Sequence, residues 1–152
     1  MIAMTEQQLQ SDLLSAGIIR AFSLILLVIL VAVCHIYVDE IQIGMDEQQR
    51  IVIRTVLYVV AILTFLVLKF VRHVMLRLGR DIKPAKSRYR LAIIVTMTIS
   101  ESIGIYGFIM YVLGDSYNTL YIFTMLSALA MFLHKPNLQE YKALVESQES
   151  ET

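Results

Sequence analysis

The sequence predicts an all-α, polytopic membrane protein with four transmembrane helices, and two observations support this prediction. Of the 152 residues, 57% are hydrophobic, whereas an average soluble domain is about 45–50% apolar. The charged side chains also avoid four long stretches, which are residues 21–38, 55–68, 91–113 except for Glu101, and 116–133. Because about 20 mostly apolar helical residues cross the hydrocarbon core of a bilayer, we expect a single membrane domain over residues 1–152.

The apolar runs also predict where each element begins and ends. The helices are expected at about 18–38, 51–72, 90–113 and 116–134. Strands are not expected, because the runs are continuous and lack the alternation of a membrane β-barrel. Thr5 and Gln8 have the spacing of a capping box, which predicts a short surface helix before the first span. The first 19 residues contain acids but no Lys or Arg, so a span is expected here and not a cleaved signal peptide.

The charges of the loops predict the orientation. Residues 39–50 carry four acids and one arginine, whereas residues 69–90 carry eight Lys and Arg and one Asp. Short loops rich in Lys and Arg stay on the cytoplasmic side. The basic loop 73–89 and both termini are therefore expected in the cytoplasm, in an integral protein of the bacterial inner membrane. The cytoplasmic tail 135–152 is expected to form a short surface helix and then, from Glu146, a disordered polar end.

The bases of the second loop and the neighbouring helix ends have two possible roles. Near an anionic leaflet, each base contributes about 1 kcal/mol of attraction to lipid headgroups, so these side chains are expected to contact headgroups or a protein partner. Alternatively, they only fix the topology. The residues concerned are Arg72, Arg77, Arg80, Lys83, Lys86, Arg88 and Arg90.

The third helix carries one carboxylate, Glu101, about twelve residues from each end. At 1.5 Å per residue it lies near the bilayer midplane, where an ionised carboxylate costs at least about 2.5–3.5 kcal/mol. That cost favours a proton or sodium site; the alternative is a protonated Glu101 that only makes a buried hydrogen bond. Small residues on one side of this helix predict a close packing face. They are Thr96, Ser100, Gly104 and Gly107.

Arg54 is the one base within the run 51–68. It lies about four residues inside the outer boundary, whereas Glu101 lies about twelve residues down, so the two differ in depth by about 12 Å. A long basic side chain near a helix end extends toward water. We therefore expect Arg54 to reach Asp115 or Asp46 and not Glu101.

The run SESIGIYGFIMYVLG, 15 residues long, resembles the carboxylate-bearing helix of the proteolipid, or c, subunit of rotary F- and V-type ATPases. It is most similar to the sodium-binding members, in which Ser or Thr directly follows the Glu. The resemblance implies that Glu101 binds the ion, that Ser102 supplies a hydroxyl ligand and that Tyr106 holds the carboxylate. The rest of the chain departs from that family, since residues 51–68 contain no Gly or Gln.

Around the helix, Ser102 and Tyr106 lie about 100° and 140° from Glu101, so one helix does not close such a site. A homo-oligomer or a larger membrane complex is therefore expected. The leading hypothesis is a small membrane protein that binds a proton or a sodium ion as a subunit of a larger assembly. The alternative is a structural or accessory membrane protein in which Glu101 only makes a buried hydrogen bond.

Several other functional classes find no support in the sequence. The formal net charge is zero, which gives no reason to expect a nucleic-acid partner. No P-loop, nucleophile elbow, HExxH or CxxC motif occurs, so neither enzymatic activity nor a cofactor is expected, beyond a possible proton or sodium ion. Cys34 is the only cysteine, which excludes an intramolecular disulfide. The three histidines, His35, His73 and His134, are scattered in depth, so no metal site is expected.

Overall fold

The structure is a computed structural model that describes residues 5–77 and 84–150, and the regular secondary structure within these ranges is α-helical. The helices are α1 Glu6–Ile36, α2 Val38–Ile41, α3 Glu47–Arg77, α4 Ala85–Val112, α5 Tyr117–Leu133 and α6 Leu138–Ser150. The all-α prediction is thus confirmed. Three helices, α1, α3 and α4, are long and apolar enough to cross a membrane, and α5 is an apolar helix of 17 residues.

Several helical boundaries differ from those that hydropathy predicts, since α3 spans Glu47–Arg77 and not 51–72, and α4 begins at Ala85 and not at 90. The expected surface helix and the first span form one helix of 31 residues, which starts where the Thr5 N–H donates to the Gln8 side chain at 3.2 Å. The prediction of disorder from Glu146 is wrong for residues 146–150, because α6 continues to Ser150. Leu144 is buried there, and the Gln148 side chain accepts a hydrogen bond from the Ala85 N–H at 2.7 Å. Tertiary contacts thus order a segment of polar composition.

The central helix is α4, which packs against α1, α3 and α5. The four small residues of its predicted packing face, Thr96, Ser100, Gly104 and Gly107, are all buried. The Ser127 hydroxyl of α5 donates to the Ser100 carbonyl at 2.7 Å, and a Cβ atom at Gly107 would lie 2.7 Å from the Cβ of Phe123. The small side chains therefore allow α4 and α5 to approach closely.

The α4–α5 turn lies at one end of the bundle, which we call the turn end. Gly114 adopts a φ of +91° there, a conformation that glycine accepts without steric cost. The next residue, Asp115, is 5% exposed, and its carboxylate accepts hydrogen bonds from Arg54 Nη1 at 3.2 and 3.3 Å. Arg50 adds a bond from its Nη1 to the Gly114 carbonyl at 3.2 Å. The predicted pairing of Arg54 with Asp115 is confirmed.

The opposite end of the bundle, which we call the α6 end, is closed by contacts between α6, α1 and α4. Tyr141 is fully buried, its ring stacks on Tyr89 at a centroid distance of 4.9 Å, and its hydroxyl donates to Asp12 Oδ2 at 2.7 Å. The other carboxylate oxygen of Asp12 lies 2.8 Å from Lys86 Nζ. These contacts attach α6 to α1 and α4.

We expect Tyr141→Phe to lower the free energy of unfolding by about 1.5 kcal/mol near neutral pH, because a hydrogen bond to a charged carboxylate is lost. Burial and the contact with Asp12 raise the pKa of Tyr141 above its ordinary value of 10.0. Such a group stabilises the fold below its unfolded pKa, and this stabilisation is lost as the pH rises above 10. The free energies of unfolding of wild type and variant should therefore become more similar above pH 10. Dodecyl sulfate unfolding followed by circular dichroism measures both.

The matched control is Tyr37→Phe, because Tyr37 is 48% exposed and its hydroxyl has no hydrogen bond within the described residues. This variant should behave as wild type at every pH. A difference between Tyr141→Phe and wild type that stays constant from pH 7 to pH 11 would contradict the proposed role of the buried phenol.

Candidate functional site

Glu101 lies in the middle of α4, at the edge of the face that none of the other described helices covers. Thr98 and Ile105, about one turn before and after it on that face, are exposed, whereas Met97 and Gly104 on its other side are buried. Glu101 itself is half-buried. It makes no hydrogen bond or ion pair with any residue that the structure describes. Its carboxylate is therefore placed where a group from outside the chain can reach it.

Ser102 and Tyr106 lie about 100° and 140° around α4 from Glu101, and both have other contacts. The Ser102 hydroxyl donates to the Ile99 carbonyl at 2.6 Å. The Tyr106 ring packs edge-on against Phe123 of α5, with centroids 6.4 Å apart and an interplanar angle of 86°. Neither side chain is hydrogen-bonded to Glu101 within the described residues. A single copy of the chain thus does not bring the three predicted ion-binding residues together.

The described residues also contain no cluster of metal-binding side chains. Among residues 5–77 and 84–150, no group of three or more His, Cys, Asp and Glu side chains lies close enough to hold a metal ion. At the turn end, His35 Nε2 forms a hydrogen bond with the Tyr121 hydroxyl at 2.7 Å. Cys34 is buried nearby as a free thiol, packed with Tyr111.

Arg72 is buried, which differs from the expectation that it contacts headgroups or a partner. It is 8% exposed, and its guanidinium binds Glu140 of α6 through Nε at 3.0 Å and Nη2 at 2.9 Å. It also donates to the carbonyls of His134 and Lys135, just after α5. The guanidinium is turned inward because these carbonyls are left without partners where a helix ends, and its planar fork satisfies several acceptors at once.

Arg88 is likewise buried, at 3% exposure, and its Nη1 donates to the Leu76 carbonyl at 3.1 Å. Its Nε and Nη2 have no hydrogen-bond partner within the described ranges. It therefore lies inside the α6 end of the bundle and not on the surface expected for a headgroup contact.

The other bases of the predicted contact surface lie elsewhere. Lys86 pairs with Asp12, and Arg90 Nη2 donates to the Ser15 hydroxyl at 3.4 Å. Arg77 is exposed at the end of α3. Arg80 and Lys83 lie outside the described residues.

The pairing of Arg72 with Glu140 is the contact that the sequence analysis missed. The two residues are 68 positions apart, so no local spacing connects them. One feature of the sequence pointed to Glu140. It follows Pro136 at the start of an amphipathic segment that was predicted on the same side of the membrane as the basic loop. An acid at that place is a candidate partner for one of those bases.

Chemically, the arrangement offers one unpaired carboxylate at mid-helix. Such a group binds a proton without further ligands, whereas a hard metal cation is held by several oxygen ligands. The described residues of one chain supply a proton-binding group and no set of several oxygen ligands around it. Comparison with protein families, with curated proteins and with solved structures finds no match.

Proposed function

We propose that this protein is a four-helix membrane protein of the bacterial inner membrane whose Glu101 binds a proton or a sodium ion within a larger membrane assembly. In this proposal α5 is the fourth span, because its 17 residues are at the short end of the range that crosses a bilayer. The distribution of Lys and Arg favours cytoplasmic positions for both termini.

The observation that carries the proposal is the position of Glu101 on the uncovered face of α4. A carboxylate near mid-bilayer is costly when ionised and marks ion or proton sites in membrane proteins. Glu101 has no partner within the described residues. The free-energy cost of placing its charge in the membrane is therefore offset by a bound proton, or by a cation whose other ligands come from a second protein surface. A second copy, or another subunit, packed over Thr98 and Ile105 would supply that surface and exclude lipid.

The second candidate function is that of a structural or accessory membrane protein. It is favoured by the Ser102 hydroxyl, which is hydrogen-bonded within its own chain, and by the Tyr106 ring, which packs against Phe123. In that case Glu101 stays protonated and donates one hydrogen bond to a neighbouring helix, and no ion exchanges.

Labelling with a hydrophobic carbodiimide tests the proposal, because this reagent modifies protonated carboxyl groups in apolar surroundings. We expect purified full-length protein in detergent to carry the adduct at Glu101, located by peptide mass spectrometry. The labelled fraction should fall as the pH rises, because the ionised form does not react. For a sodium site, sodium chloride at constant ionic strength should also suppress the reaction at least tenfold relative to choline chloride.

Asp115 provides an internal control, because it is buried but paired with Arg54 and should stay unlabelled. Glu101→Gln should abolish the adduct and leave the circular dichroism spectrum unchanged. Absence of an adduct at Glu101 at every pH would reject the ion-binding proposal. A labelled fraction that changes with neither pH nor sodium would favour the structural function, in which Glu101 stays protonated.

A further inference from the structure

A cleft of about 460 Å³ opens at the α6 end of the bundle, between the last turns of α3 and α5 and the start of α6. We call it the basic cleft. Most of its polar lining is basic, and the lining residues that matter for its chemistry are Lys69, Arg72, His73, His134, Lys135 and Glu140. Lys135 and the two histidines were not among the headgroup-contacting residues that the sequence predicted.

The charge of the basic cleft is not balanced by its own residues. Glu140 is the only carboxylate among its described lining residues, and both of its oxygens are bound by Arg72. Lys69 and Lys135 are exposed and have no ion pair within the described residues. Two ammonium groups therefore face the same space without a counterion, which favours an anionic ligand.

The floor of the basic cleft is held rigidly. Arg72 joins α3 to the α5–α6 connection and to Glu140, so the walls are fixed relative to each other. His134 is 7% exposed, and its Nδ1 donates to the Ala130 carbonyl at 2.9 Å. Its Nε2 makes no hydrogen bond within the described residues. A preformed site of this kind binds with less ordering of side chains than a mobile surface.

The position of the basic cleft in the bundle identifies the ligand class. Lys69 directly follows the uncharged run 55–68. Leu133, which also lines the cleft, and its neighbour Phe132 are each 60% exposed, and Lys135 Nζ lies 5.2 Å above the Phe132 ring. A basic pocket thus adjoins an uncovered apolar surface at the boundary where the charged residues begin.

We propose that the basic cleft binds the headgroup phosphate of an anionic phospholipid, with the acyl chains lying along the apolar surface beside Phe132 and Leu133. Basic pockets between transmembrane helices recognise anionic headgroups in this way. The ammonium groups of Lys69 and Lys135 contact the phosphate oxygens, and Arg72 holds the walls in place. This site is independent of Glu101 and does not require the ion-binding proposal to be correct.

Titration of the detergent-purified full-length protein with phosphatidylglycerol, followed by native mass spectrometry, tests the site. Lys69→Gln/Lys135→Gln should bind this lipid roughly 30-fold more weakly than wild type, since each base near an anionic headgroup contributes about 1 kcal/mol. Phosphatidylcholine with the same acyl chains should bind wild type no more tightly than phosphatidylglycerol binds the double variant. Raising the salt concentration should weaken the binding of phosphatidylglycerol.

Lys142→Gln is the matched control, because it removes a partly exposed lysine of α6 whose Nζ lies 3.5 Å from Glu6 and not in the basic cleft. It should bind phosphatidylglycerol within twofold of wild type. Equal binding by wild type and the double variant, or equal binding of the two lipids by wild type, would overturn the proposal. Displacement of the lipid by inorganic phosphate at equal concentration would overturn the lipid assignment in favour of a soluble phosphate ligand.

Discussion

Gly107→Ala is expected to destabilise the protein by about 1–3 kcal/mol, the range observed when extra atoms are forced into a packed interior. The added Cβ would lie 2.7 Å from the Phe123 Cβ and 3.2 Å from the Leu120 carbonyl oxygen. Neither atom is the free end of a flexible side chain, so α4 and α5 must move apart. The effect opposes helix propensity, which favours alanine over glycine by about 0.5–1 kcal/mol. Dodecyl sulfate unfolding followed by circular dichroism measures the change.

Two other glycines of the chain serve as matched controls. A Cβ at Gly17 would meet nothing within 4 Å, so Gly17→Ala should be neutral or slightly stabilising. A Cβ at Gly104 would meet Leu27 Cδ1, the end of a side chain that can rotate, so Gly104→Ala should cost less than Gly107→Ala. An equal loss of stability at Gly17 and Gly107 would show that backbone effects, and not the close approach of α4 to α5, determine the result.

The sequence predicted the helical class and the approximate positions of the apolar helices because hydrocarbon excludes charge. A run without Asp, Glu, Lys or Arg is therefore visible without knowledge of tertiary contacts. The absence of charge does not show where a helix ends once it continues beyond the apolar run. The observed α1 begins at Glu6 and α3 continues to Arg77, because a helix continues through polar residues when its capping and packing allow it.

The candidate site was predicted in part for a related reason. Glu101 is conspicuous because it is alone in an apolar run. The depth of Arg54 indicated Asp115 or Asp46 as its partner, and the structure shows Asp115. Depth does not determine which helix faces which. The inward position of Arg72 and the surroundings of Lys69 and Lys135 depend on how α6 folds back onto the bundle. The helical spacing after Pro136 indicates an amphipathic segment but does not show which part of the bundle it contacts.

Arg72→Met is expected to destabilise the protein by about 3 kcal/mol, the lower end of the cost of breaking a buried ion pair. The side chains of Arg72 and Glu140 are 10% and 31% exposed, so Glu140 regains some hydration when its partner is removed. The carbonyls of His134 and Lys135 lose their donor as well. Arg77→Met, five residues further along α3 at an exposed position, should change the free energy of unfolding by less than about 0.5 kcal/mol.

A double-mutant cycle separates the ion pair from the loss of packing around the arginine stem. If Glu140 is costly only when it is left unpaired, Arg72→Met/Glu140→Leu should be more stable than the sum of the two single variants implies, by about 1–3 kcal/mol. Additive losses would mean that Arg72 acts mainly through the two carbonyls after α5. Both results are informative about the basic cleft. Only if Arg72 and Glu140 are energetically coupled does Arg72 neutralise Glu140. The charges of Lys69 and Lys135 then have no counterion in the cleft, and an anionic ligand balances them.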